Sequence, residues 1–251
     1  MADSDGGRVV VDDSGGVRLL TLDRPARRNA FGGVLYAALT DALRAAGGDE
    51  AVRVVVLTGS GPGFSSGQDL DEMAALRTGP VEGIPDTGVG FPALLEELQA
   101  FGKPLVVAVH GAAVGLGFTL LAHADLVVVA ESARLRVPFA PMGVPPEAGS
   151  SVLFPALLGW QQAARVLLTG DEIGGEEAVR LGIALICCSD DEMLATATAL
   201  AERIAQHPPI GVRAIKRLLL DGRRDAVAAA VVRETAAFAD LFRADRAANG
   251  P

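Results

Sequence analysis

The stretch Arg53-Val-Val-Val-Leu-Thr-Gly-Ser-Gly-Pro-Gly-Phe-Ser-Ser-Gly-Gln-Asp-Leu70 decides how the chain folds. A β-branched apolar run breaks at glycines, and a helical pattern follows. The same grammar recurs in Pro104-Leu-Val-Val-Ala-Val-His-Gly-Ala-Ala-Val-Gly-Leu-Gly-Phe-Thr-Leu-Leu121. Each is a buried strand that turns into a helix through small residues. Such junctions present backbone N–H groups that no intrahelical acceptor claims. Two of them in one domain can hold a single oxygen anion between two N–H donors.

Outward from these junctions the pattern alternates. Val9–Val11 and Val17–Leu22 flank Asp-Ser-Gly-Gly, which predicts a hairpin. Apolar spacing predicts a helix over Gly33–Ala46, a strand over Val52–Leu57 and a helix over Pro92–Ala100. A strand Leu105–Val109, a helix near Leu116–Ala122 and a strand Leu126–Ala130 follow. Alternation of this kind predicts an α/β fold with a parallel sheet covered by helices. Residues 1–7 read as a disordered tail, and the Gly-, Pro- and Thr-rich residues 78–90 as a mobile loop. After Glu147 the pattern reads as all-helical. Segments begin near Ser150, Gln161, Gly175, Asp190, Pro209 and Arg224. The β/α core is expected over 1–190 and a helical region over 191–251. The apolar face of Asp225–Phe242 needs a partner, either the protein's own core or another subunit.

Composition narrows the function. A net charge of −9 argues against nucleic acid, whose phosphates need basic surface. It leaves room for a small phosphorylated ligand held by a few local arginines. Cys187 and Cys188 are adjacent and lack metal-ligand spacing, so they read as buried small hydrophobes. The polar, acidic N-terminus shows no secretory signal, and no apolar run reaches the length of a membrane span. A cytoplasmic location is the default expectation, with no membrane partner.

Three places can carry chemistry. Gly67 can take φ > 0 and aim the N–H of Gln68 into a cleft, or serve only as a loop hinge. Leu116 begins a helix and offers a second N–H, although Gly111-Ala-Ala-Val-Gly-Leu-Gly also suits tight helix packing. Its glycine spacing matches no dinucleotide fingerprint or P-loop. Glu147 lies between Pro145-Pro146 and an apolar helix. It reads either as a first-turn acid that complements the helix dipole or as a base of raised pKa. His110, His123 and His207 read as structural.

Taken together, these motifs resemble the crotonase, or enoyl-CoA hydratase/isomerase, family over nearly the whole chain. The resemblance is carried by Leu22-Asp-Arg-Pro-Ala-Arg-Arg-Asn-Ala30, Phe64-Ser-Ser-Gly-Gln-Asp-Leu70 and His110-Gly-Ala-Ala-Val-Gly-Leu-Gly117. It continues in Ala124-Asp-Leu, Pro138-Phe-Ala-Pro-Met-Gly-Val-Pro-Pro-Glu-Ala-Gly-Ser-Ser151, Leu168-Thr-Gly-Asp and Glu176-Glu-Ala-Val-Arg-Leu-Gly-Ile-Ala184. It implies a spiral of ββα units, a C-terminal helical trimerisation region and an acyl-coenzyme A thioester substrate. No separate cofactor or metal is implied, because coenzyme A is part of the substrate. A homotrimer or hexamer is expected.

By matching positions, the N–H groups of Gln68 and Leu116 form the oxyanion hole. Arg24, Arg27, Arg28, Ser66, Asp69 and Leu70 lie where the family meets coenzyme A. The resemblance also places Thr119 and Phe139 where hydratases carry their two glutamates. Glu147 matches the single glutamate of the Δ3,Δ2-enoyl-CoA isomerase branch. The expected reaction is therefore 3-enoyl-CoA to 2-enoyl-CoA. Its rivals are a hydratase of unusual site and an acyl-CoA-binding protein without turnover. Leu116 replaces a frequent glycine. Members also usually continue into a last helix with a Phe and a basic cluster, of which this sequence, ending at Asn249-Gly-Pro251, falls short.

Overall fold

A computed structural model describes residues 7–78 and 90–249. Residues 1–6 of the expected tail over 1–7, and residues 79–89 of the expected loop over 78–90, lie outside the described residues. The chain begins with the hairpin β1 (Arg8–Ser14) and β2 (Val17–Asp23), a 3₁₀ turn at Pro25–Arg27 and helix α1 (Gly33–Gly48). Strand β3 (Val54–Gly59) follows, then α2 (Leu70–Thr78), α3 (Phe91–Ala100), β4 (Leu105–Val109) and β5 (Ala112–Val114). Helix α4 (Leu116–Thr119) runs into a 3₁₀ turn at Leu120–His123, then come β6 (Leu126–Ala130), β7 (Arg134–Arg136) and α5 (Phe139–Met142). The remainder is α6 (Ser150–Leu158), α7 (Trp160–Thr169), β8 (Ile173–Gly174), α8 (Gly175–Arg180), β9 (Ile186–Cys188), α9 (Asp190–Ala205), α10 (Pro209–Asp221) and α11 (Arg224–Asn249).

Six strands form the main sheet in the order β1-β2-β3-β4-β6-β9, antiparallel at β1–β2 and parallel elsewhere. Its central strands are apolar without interruption because both faces are covered. Val54, Val56, Val106, Ala108, Val128 and Ala130 face one way, toward Met193, Ala197, Ala201 and Ala205 of α9. Their neighbours Val55, Leu57, Val107, Val109, Val127 and Val129 face the larger core. A second sheet, β5-β7-β8, stands beyond the carboxyl ends of the main strands. The region after Glu147 is not all-helical, as the sequence pattern had it. Ile186–Cys188 pairs with Val128–Ala130, and Ile173–Gly174 pairs with Arg134–Leu135. These runs are too short for a periodicity to show, and pairing alone defines them.

Candidate active site

Both glycine junctions follow the carboxyl ends of adjacent parallel strands, β3 and β4. They are stitched together by backbone. Ser65 N–H donates to Ala112 O at 3.0 Å, and Val114 N–H donates to Ser65 O at 2.9 Å. Gly67 has φ +84°, and a Cβ there would sit 2.4 Å from Val114 O and 3.4 Å from Leu116 N. Only glycine allows so close an approach with that backbone. Residue 67 is thereby pressed against the start of α4.

The orientation of Gln68 follows from its pairing. Phe31 N–H donates to Gly67 O at 2.7 Å, and Asp69 N–H donates to Phe31 O at 2.8 Å. In a parallel bridge of this register, the N–H of the intervening residue points the other way. Among the described residues, Gln68 N–H meets no protein acceptor. Leu116 is the first residue of α4, so its N–H has no intrahelical acceptor, and it too meets none. The residue before Gln68 is pressed against the Leu116 N, so the two donors belong to neighbouring backbone.

Glu147 reaches the other end of α4. The Thr119 hydroxyl donates to Glu147 Oε1 at 2.5 Å. Leu116 and Thr119 are the first and last residues of the single turn of α4, so the Leu116 N–H and the partner of the carboxyl belong to one helical turn. Phe118 packs on Phe154 with ring centroids 4.9 Å apart, holding α4 against α6. The Glu147 side chain keeps part of its surface while protein atoms densely surround its carboxyl. Burial pushes its pKa up from 4.5 to about 8; the Thr119 bond opposes that rise and the nearby Glu234 adds to it. Phe139 is buried at the start of α5 and supplies no proton-transfer group.

The turn after Glu147 is unusual. Ala148 has φ +59° and Gly149 φ +73°. A non-glycine residue in this conformation costs about 1–2 kcal/mol. The surroundings compensate. His123 Nε2–H donates to Ala148 O at 2.8 Å, and Ser150 Oγ donates to Glu147 O at 2.6 Å. Burial pushes the His123 pKa down to about 4, so the ring is neutral. Glu234 of α11 accepts from Gly149 and Ser151. The roles of His123 and Glu234 escape a reading of the sequence because both act on backbone far from them along the chain.

The residues expected near coenzyme A separate into two groups. Arg24, 6% exposed, pairs with Asp69 at 2.8 Å and donates to Ala30 O at 3.0 Å. Asp69 also accepts from the N–H of Asp71, which fixes the start of α2. This buried pair braces the first junction from beneath. Arg27 is more exposed and pairs with Asp69 and Asp71. Arg28, Ser66 and Leu70 reach the surface, with Ser66 N–H tied to Arg28 O at 2.9 Å. Asn29, fully buried, also escapes notice in the sequence. Its Oδ1 accepts from Arg24 N–H, and its Nδ2 lies 2.9–3.1 Å from the carbonyls of Ser60, Gly63 and Phe64. It locks the Arg24–Asn29 loop onto the β3 junction.

At the carboxyl edge of the parallel sheet, then, stand two N–H donors with no acceptor among the described residues, and a carboxyl bonded to the same short helix. Residues 12–251 match the family model described as enoyl-CoA hydratase/isomerase. The 2,3-dehydroadipyl-CoA hydratase of Escherichia coli K12 is 36% identical over 222 residues, 88% of this chain and 85% of that one. The 1,2-epoxyphenylacetyl-CoA isomerase of the same organism is 34% identical over 81% of this chain and 78% of its own. The crystal structure of an enoyl-CoA hydratase/isomerase from Pseudoalteromonas atlantica T6c superposes with a TM-score of 0.84. It is 35% identical, covering 92% of this chain and 90% of that one. The chain belongs to the enoyl-CoA hydratase/isomerase family and has the crotonase fold. It is an acyl-CoA-processing enzyme of that family.

Proposed function

We propose that the enzyme isomerises 3-enoyl-CoA to 2-enoyl-CoA with Glu147 as its single acid/base. The observation that carries this reading is the Thr119–Glu147 pair. Among the described residues one carboxyl bonds to α4, and its partner is a threonine, unable to act as acid or base at neutral pH, at the position where the family resemblance places a hydratase glutamate.

The thioester oxygen sits between the N–H groups of Gln68 and Leu116. Glu147, ionised, removes a C2 proton. The C–H electrons form a C1=C2 bond, and the carbonyl electrons move onto oxygen. The resulting dienolate is held by donors already oriented toward the developing charge. Return of the proton from Glu147 to C4 shifts the double bond to C2=C3 and restores the carbonyl. No water enters or leaves. Arg27, Arg28, Ser66 and Leu70 line the entrance for coenzyme A, while Arg24 and Asp69 hold the loop that presents them. No separate cofactor or metal takes part in this reaction.

The test is an assay of 3-enoyl- and 2-enoyl-CoA panels with wild type and Glu147→Gln. Isomerisation should fall by about 10²- to 10⁴-fold, the usual worth of a positioned acid/base. Acyl-CoA binding should persist. Undiminished turnover in Glu147→Gln would sink the proposal.

The relative named as a hydratase favours a second reading, water addition to 2-enoyl-CoA with Glu147 activating the water. The same panels separate the two, because a hydrated product gains the mass of one water and an isomer gains none.

A further inference from the structure

The turn that carries Glu147 is gripped from the far end of the chain. Helix α6 has Gly149 at its N-cap, so no side chain there satisfies the first N–H groups. Glu234 of α11 takes that place. Its Oε2 accepts from Gly149 N–H at 2.7 Å, and its Oε1 accepts from Ser151 N–H at 2.9 Å. Glu234 is only 6% exposed. A Cβ on Gly149 would come within 3.0 Å of Val227, so α11 lies flush on the turn. The left-handed φ of residue 149 disfavours the serine or aspartate that would cap α6 locally. A buried carboxylate from another helix does more. It bonds the peptide two residues beyond Glu147, and it sets a second acidic side chain behind the first.

We propose that Glu234 is a positioning residue for Glu147. Its two hydrogen bonds fix the left-handed Ala148–Gly149 turn, and so the direction from which the Glu147 carboxyl enters the cleft. This rests on the reading of Glu147 as acid/base. Left-handed residues persist only where neighbours over-determine them. Here the carbonyl of Ala148 is held by His123, and the N–H groups beyond it by Glu234.

Charge acts along the same line. Glu147 is faced by the Thr119 hydroxyl from α4 and by Glu234 from α11, whose charge raises the proton affinity of Glu147. His123 meets the turn from the 3₁₀ segment. It is neutral, with Arg223 and Lys216 beyond it opposing its protonation. Among the described residues, Glu234 is thus the charged group that bears on Glu147.

Glu234→Gln is the primary test. Its amide oxygen can accept one N–H bond, while its NH₂ faces the other donor, and the charge is gone. The kcat for 3-enoyl-CoA should fall about 10- to 100-fold, the scale of a small misplacement of a reacting group. KM should stay within about threefold. The rising limb of the kcat/KM–pH profile should move to lower pH. Glu234→Asp keeps the charge on a shorter stem, so its profile should keep the wild-type position even where its rate drops. Carboxyl ¹³C NMR on the unliganded protein, with the Glu147 signal assigned through Glu147→Gln, reads the same shift without turnover. A folded Glu234→Gln with wild-type kcat and wild-type Glu147 titration would overturn the proposal. Loss of the fold in both variants would also overturn it, leaving Glu234 a structural cap. A moved titration in an enzyme that turns over no enoyl thioester would support the hold on Glu147 and refute the isomerase reading instead.

Discussion

Glu147 stands under two opposed influences, and their balance sets how much of it is ionised. Burial raises its pKa to about 8, and the Thr119 hydroxyl works against that rise. A hydrogen bond to a charged group is worth about 1.5–3 kcal/mol. Thr119→Val keeps the volume and removes the donor. Its kcat/KM should fall about 10-fold near neutral pH, with the profile displaced toward alkali. The deficit should narrow at high pH, where Glu147 is ionised in both proteins. A uniform deficit across the profile would show that the hydroxyl does not act through Glu147. The acid itself is legible in the sequence, because two prolines and an apolar helix announce an unusual site for a carboxylate. Glu234 is not legible. It lies 85 residues from the N–H it caps, and nothing in its helical surroundings marks it as different from a solvated acid.

At the scale of elements, the site is made by two loops that only glycine lets approach. Gly67→Ala would drive a methyl group to 2.4 Å from Val114 O at a left-handed φ. Both the strain and the clash fall on the gap between Gln68 and Leu116. The variant should lose about 1–3 kcal/mol of stability and bind acyl-CoA more weakly, as read by thermal unfolding and calorimetric titration. Unchanged binding would show that the gap does not hold the thioester. Strands β3, β4 and β6 are legible in the sequence for a physical reason. Covered on both faces, they are continuous apolar runs of four or five residues with polar, glycine or proline residues at their ends. Strands β5, β7, β8 and β9 have only two or three residues each. Their partners define them, and no local pattern can. The junction glycines are equally visible in the sequence, but each alone reads as a hinge. Their joint meaning appears only when Ser65, Ala112 and Val114 bond across the two loops.

The whole molecule answers to partners and to pH. Ile210, Ile215, Leu218 and Leu219 of α10 and Val232 of α11 are largely exposed. We propose that they are covered in a homotrimer or hexamer, which light scattering should report as three or six times the mass of the chain. A monomer would remove that reading. The pH response follows from Glu147 and His123, whose pKa values the fold moves in opposite directions. Glu147 has a folded pKa raised from 4.5 to about 8. The fold therefore binds its proton more tightly than the unfolded chain does. Its contribution is fully present below 4.5 and is lost as pH rises toward about 8. His123 works in the opposite direction, its pKa lowered from 6.5 to about 4. Its contribution is present above 6.5 and is lost as pH falls toward about 4. So far as these two groups govern it, the two dependences cancel between 4.5 and 6.5, and stability is greatest across that overlap. Glu147→Gln cannot ionise, so its melting temperature should rise relative to wild type as pH goes from 4.5 to about 8. His123→Asn keeps an N–H for Ala148 O without taking up a proton. Its melting temperature should gain on wild type between about pH 7 and about pH 4. Each substitution should flatten one limb of the stability profile and extend the other across the overlap between 4.5 and 6.5. Parallel profiles for all three proteins would show that neither group carries the linkage.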